Sequence, residues 1–124
     1  MQMKQALLIE DHALFREGLA LLLKWHTGVE SVQAGSLAEG NRVVGDAAGS
    51  ADVAIINLDL PDGDGCDLIE QLHETKPDVP ILALTADGSL AQHARALEAG
   101  ADEVLTKAVP VEQIIDAVER LRPR

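Results

Sequence analysis

The residues best placed to do chemistry lie in one stretch, Asn57-Leu58-Asp59-Leu60-Pro61-Asp62-Gly63-Asp64-Gly65. Asp59, Asp62 and Asp64 make it an oxygen-rich loop, the donor type that suits a hard cation such as Mg2+ or a phosphate-chemistry site. The apolar run at 53–56 just before it reads as a buried strand, and Pro-Asp-Gly-Asp-Gly cannot continue that strand. Asn57 therefore stands at or near a strand's C-terminal tip, with the three aspartates on the loop beyond. Ligands of open α/β sheets bind outside the carboxyl ends of the strands. The discordant residue is Asn57, a neutral amide where such a site most needs a carboxylate.

The rest of the chain reads as the scaffold for that tip. Residues 5–9 form a first aliphatic strand ended by Glu10 and Asp11. Residues 12–25 form a helix with Asp11 as N-cap and with Leu14, Phe15, Leu19, Leu22 and Leu23 on its apolar face. A more alternating second strand, nearer the sheet edge, covers 29–34. A weak helix follows at 37–48, where Gly40 and Gly45 each cost about 1 kcal/mol relative to Ala. The third strand is 52–56. A helix spans 67–74 with Leu68, Ile69 and Leu72 on one side, and Pro77 stops it. The fourth strand runs through 80–84 to Thr85. A helix at 89–99 takes Ser89 as N-cap and Gly100 as C-cap. The fifth strand is 103–106, followed by Lys107. A last helix at 111–121 carries the stripe Val111, Ile114, Ile115, Val118 and Leu121. Aliphatic strands alternating with helices specify a parallel sheet covered on both faces.

Parallel strands point their C-termini the same way, so Glu10, Asp11, Asn57, Thr85 and Lys107 share one rim. Taken singly, each is ordinary: an acid pair as a helix cap, a β-branched strand end, a solvated lysine. Their conjunction at four strand ends of one sheet is what marks a site.

Composition limits the function further. With 124 residues the chain reads as one domain, 1–124, long enough to bury a core. The formal net charge of -11 argues against nucleic-acid binding by this segment, because phosphate contacts need clustered Lys and Arg. Cys66 is the sole cysteine, so no internal disulfide forms, which suits a reducing cytoplasm. No signal peptide or membrane span is read, and a cytoplasmic location is expected.

These residues resemble the receiver domains of two-component response regulators over essentially the whole chain. Leu8-Ile9-Glu10-Asp11-His12-Ala13-Leu14-Phe15-Arg16-Glu17-Gly18-Leu19 is similar to the opening of NarL/FixJ-type members. Leu84-Thr85-Ala86, Ala96-Leu97-Glu98-Ala99-Gly100-Ala101-Asp102 and Lys107 match in order and spacing. The resemblance implies a CheY-like, flavodoxin-like α/β fold: a doubly wound five-stranded parallel sheet of order 2-1-3-4-5 with five helices. It implies a signalling domain, not an enzyme. Glu10, Asp11 and the backbone carbonyl of Asp59 would hold Mg2+, and Thr85 and Lys107 would contact the phosphoryl group. An aspartate four residues before the loop proline would accept that group from a histidine kinase.

Here that position is Asn57. A carboxamide has no anionic oxygen to attack phosphorus, and losing one charge weakens Mg2+ binding. Asp59 is a poor substitute acceptor, being read as displaced onto the loop, away from Thr85 and Lys107. Val104 stands three residues before the lysine, where the family usually has a switching aromatic, and Ala108 replaces a common proline. The expected function is a degenerate, pseudo-receiver role in a phosphorelay, exercised by binding a signalling protein or a second copy. The alternative is an ordinary phosphorylatable receiver seen as an Asn variant, possibly followed by the DNA-binding domain that NarL-type members carry. A haloacid-dehalogenase-type phosphotransferase is a remote third reading, since Asn57-Leu58-Asp59 lacks the nucleophile. An EF-hand fails on spacing, and His12, His26, His73 and His93 are too scattered for a metal site.

Overall fold

The structure is a computed structural model describing residues 3–47 and 50–121. In chain order it contains β1 (Gln5–Ile9), α1 (Ala13–Thr27), β2 (Glu30–Ala34), α2 (Leu37–Ala47), β3 (Val53–Asn57), β4 (Asp59–Leu60) and β5 (Gly63–Asp64). These are followed by α3 (Gly65–Thr75), β6 (Ile81–Thr85), α4 (Leu90–Ala99), β7 (Glu103–Thr106) and α5 (Val111–Arg120). Five strands pair in parallel in the order β2-β1-β3-β6-β7. That is the expected 2-1-3-4-5 once the two-residue strands β4 and β5, which pair only with each other, are set aside.

Strand parity builds the two cores. Leu7, Ile9, Ala54, Ile56, Ile81 and Ala83 face one side and pack with Val44, Leu68, Ile69, Leu72 and Ala96 from α2, α3 and α4. Ala6, Leu8, Val53, Ile55, Leu82 and Leu84 face the other and pack with Leu19, Leu23, Ile114, Ile115 and Val118 from α1 and α5. Every residue of β3 and β6 is buried, as strands covered on both faces require. Burial on both sides leaves their side chains only one polar exit, the C-terminal tips. Asn57 and Thr85 are the last residues of β3 and β6.

The helices depart from expectation in ways that matter for the site. α1 begins at Ala13 with His12 as N-cap and no side-chain capping bond, so Asp11 does not cap it. The helix runs on to Thr27 and ends at Gly28, whose φ of 76° supplies the left-handed turn. Leu14 is 77% exposed and stands off the core; Leu19 and Leu23 carry the buried face. α3 starts at Gly65, earlier than 67, because the Asp64 side chain accepts the Cys66 N–H and caps it. α4 confirms both of its expected caps, with Ser89 accepting the Gln92 N–H and Gly100 closing the end. The third strand extends to Asn57 and begins at Val53. The expected last residue of the second helix, Ala48, lies outside the described residues.

Gly40 and Gly65 are the price of close packing around the site loop. A Cβ at Gly40 would lie 2.6 Å from Leu68 Cδ1 and 3.2 Å from Ile9 Cγ2, so a glycine that weakens α2 in isolation lets it close on α3 and β1. A Cβ at Gly65 would lie 2.2 Å from the Asn57 carbonyl oxygen. The Gly65 N–H donates to the Leu58 carbonyl at 2.9 Å, fastening the start of α3 to the tip of β3.

Candidate functional site

The rim of the sheet assembles Glu10, Asp11, Asn57, Asp59, Thr85 and Lys107. Asn57 is 2% exposed at the tip of β3. Its side-chain Nδ2 donates to Asp11 Oδ1 at 2.9 Å and to the Asp59 carbonyl at 3.2 Å, while its Oδ1 accepts the Asp59 N–H at 3.2 Å. The orientation of the amide is over-determined, since reversal would set its oxygen against two acceptors and its nitrogen against a donor. Asp11, released from capping duty, is bound here instead.

Glu10 is fully buried and committed elsewhere. One carboxylate oxygen accepts the His12 N–H at 2.7 Å. The other forms an ion pair with Lys107 Nζ at 2.9 Å, outside hydrogen-bond directionality. The Lys107 ammonium also lies 4.8 Å from the centroid of the Phe15 ring, a cation–π contact that steadies it. The lysine backbone N–H donates to the Thr85 carbonyl at 2.9 Å, tying β7's exit to β6.

Thr85 is fully buried. Its single hydroxyl proton faces two oxygens, Gln92 Oε1 at 2.7 Å and Asp59 Oδ2 at 3.3 Å, and its Oγ1 accepts the Asp87 N–H at 3.1 Å. Asp59 Oδ2 also accepts the Ala86 N–H at 3.0 Å. The expectation that Asp59 lies away from Thr85 is therefore corrected. The two-residue β4–β5 ladder folds the chain back, so the Asp59 side chain reaches β6 rather than leaving with the loop.

The other two loop aspartates are helix caps. Asp62, at the turn between β4 and β5, accepts the Leu37 N–H at 2.7 Å and the Ala38 N–H at 3.0 Å, capping α2 from another part of the chain. Those two backbone bonds hold its carboxyl below the usual carboxylate range. Asp64 caps α3 and pairs with Arg95. Partial burial would raise its pKa, but the Cys66 N–H and the Arg95 guanidinium outweigh burial and hold it down. Neither belongs to a cation loop. Among the described residues no group of three or more His, Cys, Asp or Glu side chains is arranged around a metal position.

Sequence reasoning missed Gln92 and Phe15 as members of the site. Ser89-Leu90-Ala91-Gln92 has the capping-box spacing, which assigns the glutamine to the helix N-terminus. Its side chain instead turns to the Thr85 hydroxyl, and Asp87 takes the Ser89 N–H. Phe15 reads as a core residue of α1, and its ring face toward Lys107 is visible only once the fold brings the residue after β7 over α1. Val104 is partly buried against the core on the α4 side.

An open depression of about 370 Å³ lies over this rim, lined by Asp11, Asp59, Pro61, Asp64 and Gln92 among others. A larger groove of about 500 Å³ between α3 and α4 is lined by Asp67, Glu70, Glu74, Glu98 and Arg95 and lies off the strand tips. None of the helices among the described residues is long and apolar enough to cross a membrane.

Comparison with known proteins places this geometry. The response regulator receiver domain model matches residues 6–119. The transcriptional regulatory protein PhoP of Escherichia coli (strain K12) is 32% identical over 120 residues, covering 97% of this chain and 52% of that protein. PmrA of Pectobacterium parmentieri is 36% identical over 101 residues, covering 82% of this chain and 44% of that protein. The chain thus spans about half the length of the curated relatives it matches, and the NarL/FixJ affinity of the opening residues is not reflected in PhoP or PmrA. A CheY-like receiver domain from Methanospirillum hungatei JF-1 superposes with a TM-score of 0.87 over 96% of this chain and 93% of that one, at 24% identity. A Burkholderia pseudomallei response regulator, solved with a phosphorylated aspartic acid, calcium ion and citrate, superposes with a TM-score of 0.82 at 30% identity, over 94% of this chain and 71% of that one. The chain belongs to the response regulator receiver domain family of two-component signalling.

Proposed function

We propose that this domain is a degenerate receiver, acting by binding a histidine kinase, another signalling protein or a second copy rather than by accepting phosphate. The observation that carries the reading is the Asn57 amide at the tip of β3, four residues before Pro61, hydrogen-bonded at both its nitrogen and its oxygen. Phosphoryl transfer to a receiver needs an anionic oxygen at this point. The amide supplies none, and its oxygen already accepts the Asp59 N–H. Thr85 and Lys107, which the family resemblance would have contact a phosphoryl group, stand on the same rim, but the Asn57 amide offers that group no acceptor. Val104 agrees with this reading, because a valine cannot make the rotation expected of an aromatic switch. A cytoplasmic location and a single domain over 1–124 are part of the same proposal.

Receiver domains in general bind Mg2+ at the phosphorylation site, and the residues here fit that ion poorly. Asp11 Oδ1 and the Asp59 carbonyl converge, yet on an amide nitrogen, and Glu10 is neutralised by Lys107. Mg2+ demands near-octahedral oxygen ligation and sheds its waters reluctantly, so a site with one free carboxylate holds it weakly.

The second reading, a phosphorylatable receiver seen as an Asn variant and forming part of a transcriptional regulator, draws on Glu10, Asp11, Thr85 and Lys107 being assembled around Asn57. One experiment separates the two. The protein is incubated with acetyl phosphate and Mg2+ and its intact mass measured, alongside Asn57→Asp. The degenerate reading requires no gain of a phosphoryl group by the unaltered protein. A stable gain overturns it.

A further inference from the structure

Two side chains at the rim occupy places that a receiver site would offer to ions. We infer that the pocket is internally satisfied: the Asn57 amide stands in for the cation, and the Asp59 carboxylate stands in for the anion. Asp59 is thereby a positioning residue for the segment leading from β6 into α4. The inference rests on the reading that Asn57 holds the acceptor position without accepting phosphate.

The cation half follows from donor geometry. Asp11 Oδ1 and the Asp59 carbonyl are two oxygens that need a positive partner between them. The two N–H groups of one amide nitrogen meet them at 2.9 and 3.2 Å. A carboxylate at position 57 would present only acceptors there and would leave both oxygens in need of an ion. The amide meets that need from within the chain.

The anion half concerns donors at the end of β6. The Ala86 N–H points at Asp59 Oδ2 at 3.0 Å, and the Thr85 hydroxyl, whose one proton also faces the nearer Gln92 Oε1, lies 3.3 Å from the same oxygen. That carboxylate originates on β4, 26 residues before Thr85. It therefore cross-links the β4–β5 hairpin to residues 86–89, which lead to the exposed Leu90 and the N-terminus of α4. Hairpin and segment share an anchor, because the same Asp59 residue gives its carbonyl to Asn57 and its carboxylate to Ala86. A receiver that needs neither ion to complete this network is held in one arrangement whatever the Mg2+ concentration.

The test has two arms on the folded domain. In the first, Mg2+ is titrated to about 10 mM while backbone amide resonances and thermal unfolding are followed. No saturable shift at Asp11, Asn57 or Asp59 and no change in Tm is expected. A saturable shift at these amides overturns the cation half. In the second, amide hydrogen exchange at Ala86 is compared in the unaltered protein, Asp59→Ala and Asp59→Asn, with β3 amides as an internal reference. Asp59→Ala speeds Ala86 exchange about tenfold, the value of one charge-assisted hydrogen bond, with β3 protection unchanged. Asp59→Asn keeps an acceptor oxygen and restores most of the protection. Unchanged Ala86 exchange in Asp59→Ala, or equal loss in both variants, overturns the anion half. Phosphoryl gain from acetyl phosphate refutes the degenerate reading itself, whereas a Mg2+ response without that gain refutes this inference alone.

Discussion

Replacing Asn57 with aspartate changes two atoms' chemistry and almost no volume, so its consequences are electrostatic. The amide nitrogen that bridges Asp11 Oδ1 and the Asp59 carbonyl becomes a carboxylate oxygen at 2.9 and 3.2 Å from them. Two hydrogen bonds are lost, each worth roughly 1 kcal/mol net. Two like charges are also brought together. At 2.9 Å their repulsion is about 1.4 kcal/mol in bulk water and roughly 6 kcal/mol at an effective dielectric of 20. Asp11 is exposed and Asn57 buried, which sets the repulsion between those limits and toward the lower. Asn57→Asp is therefore expected to lower unfolding stability by about 3.5–5 kcal/mol in the absence of divalent ions. Mg2+ supplies the missing positive charge, so about 10 mM of it should return most of the loss to the variant and nothing to the unaltered protein. Urea unfolding at pH 8 with and without Mg2+ measures both, read by far-UV circular dichroism because Trp25 is exposed and a poor reporter of the core. A variant as stable as the parent without Mg2+ would refute the reasoning, because it would mean that the amide's bonds and the charge it avoids carry no weight.

Other consequences follow from the contacts around the loop. Gly65→Ala drives a Cβ to 2.2 Å from the Asn57 carbonyl oxygen and 2.9 Å from Leu58 Cα; backbone cannot yield as a side chain does, so a loss of about 3 kcal/mol or more is expected in denaturant titration. Asp62 has a depressed folded pKa, so its contribution to stability is complete above the unfolded value of about 4 and disappears as pH falls through the folded one. Asp62→Ala should accordingly lower Tm at pH 7 and flatten its fall below about pH 4, seen in parallel thermal melts. Burial first, then the Asp64 carboxylate, pushes the Cys66 thiol up to about 11. Roughly one part in a thousand is then thiolate at pH 8, so iodoacetamide should label the folded domain far more slowly than the unfolded chain, and Asp64→Asn should speed that labelling.

Much of this architecture was legible before folding. Uninterrupted aliphatic runs at 53–56 and 80–84 announce strands covered on both faces, and parity along them sorts the two cores. The strand-tip residues Glu10, Asp11, Asn57, Thr85 and Lys107 are local in sequence to the elements that carry them, so parallel pairing alone brings them to one rim. Helix ends were less legible where two caps competed. Asp11 offers a capping oxygen to α1, but the Asn57 amide takes it; Asp64 caps α3 two residues earlier than the apolar spacing suggests. Leu14 fits the helical stripe of α1 yet faces solvent, because periodicity defines a face but not its edges.

The acidic loop shows where sequence stops. Composition reveals Asp59, Asp62 and Asp64 as three acceptors within six residues and makes a cation site the natural reading. Their donors lie elsewhere: the Leu37 and Ala38 N–H groups for Asp62, the Ala86 N–H and Thr85 hydroxyl for Asp59, and Cys66 with Arg95 for Asp64. A hydrogen bond is a property of two groups at a distance, and a chain read in order shows one group at a time. The sequence by itself determined the sheet, the rim and the identity of the amide at position 57. Only the tertiary structure decided that this amide is bonded on both sides, that two of the three aspartates hold helices, and that the third holds the end of β6.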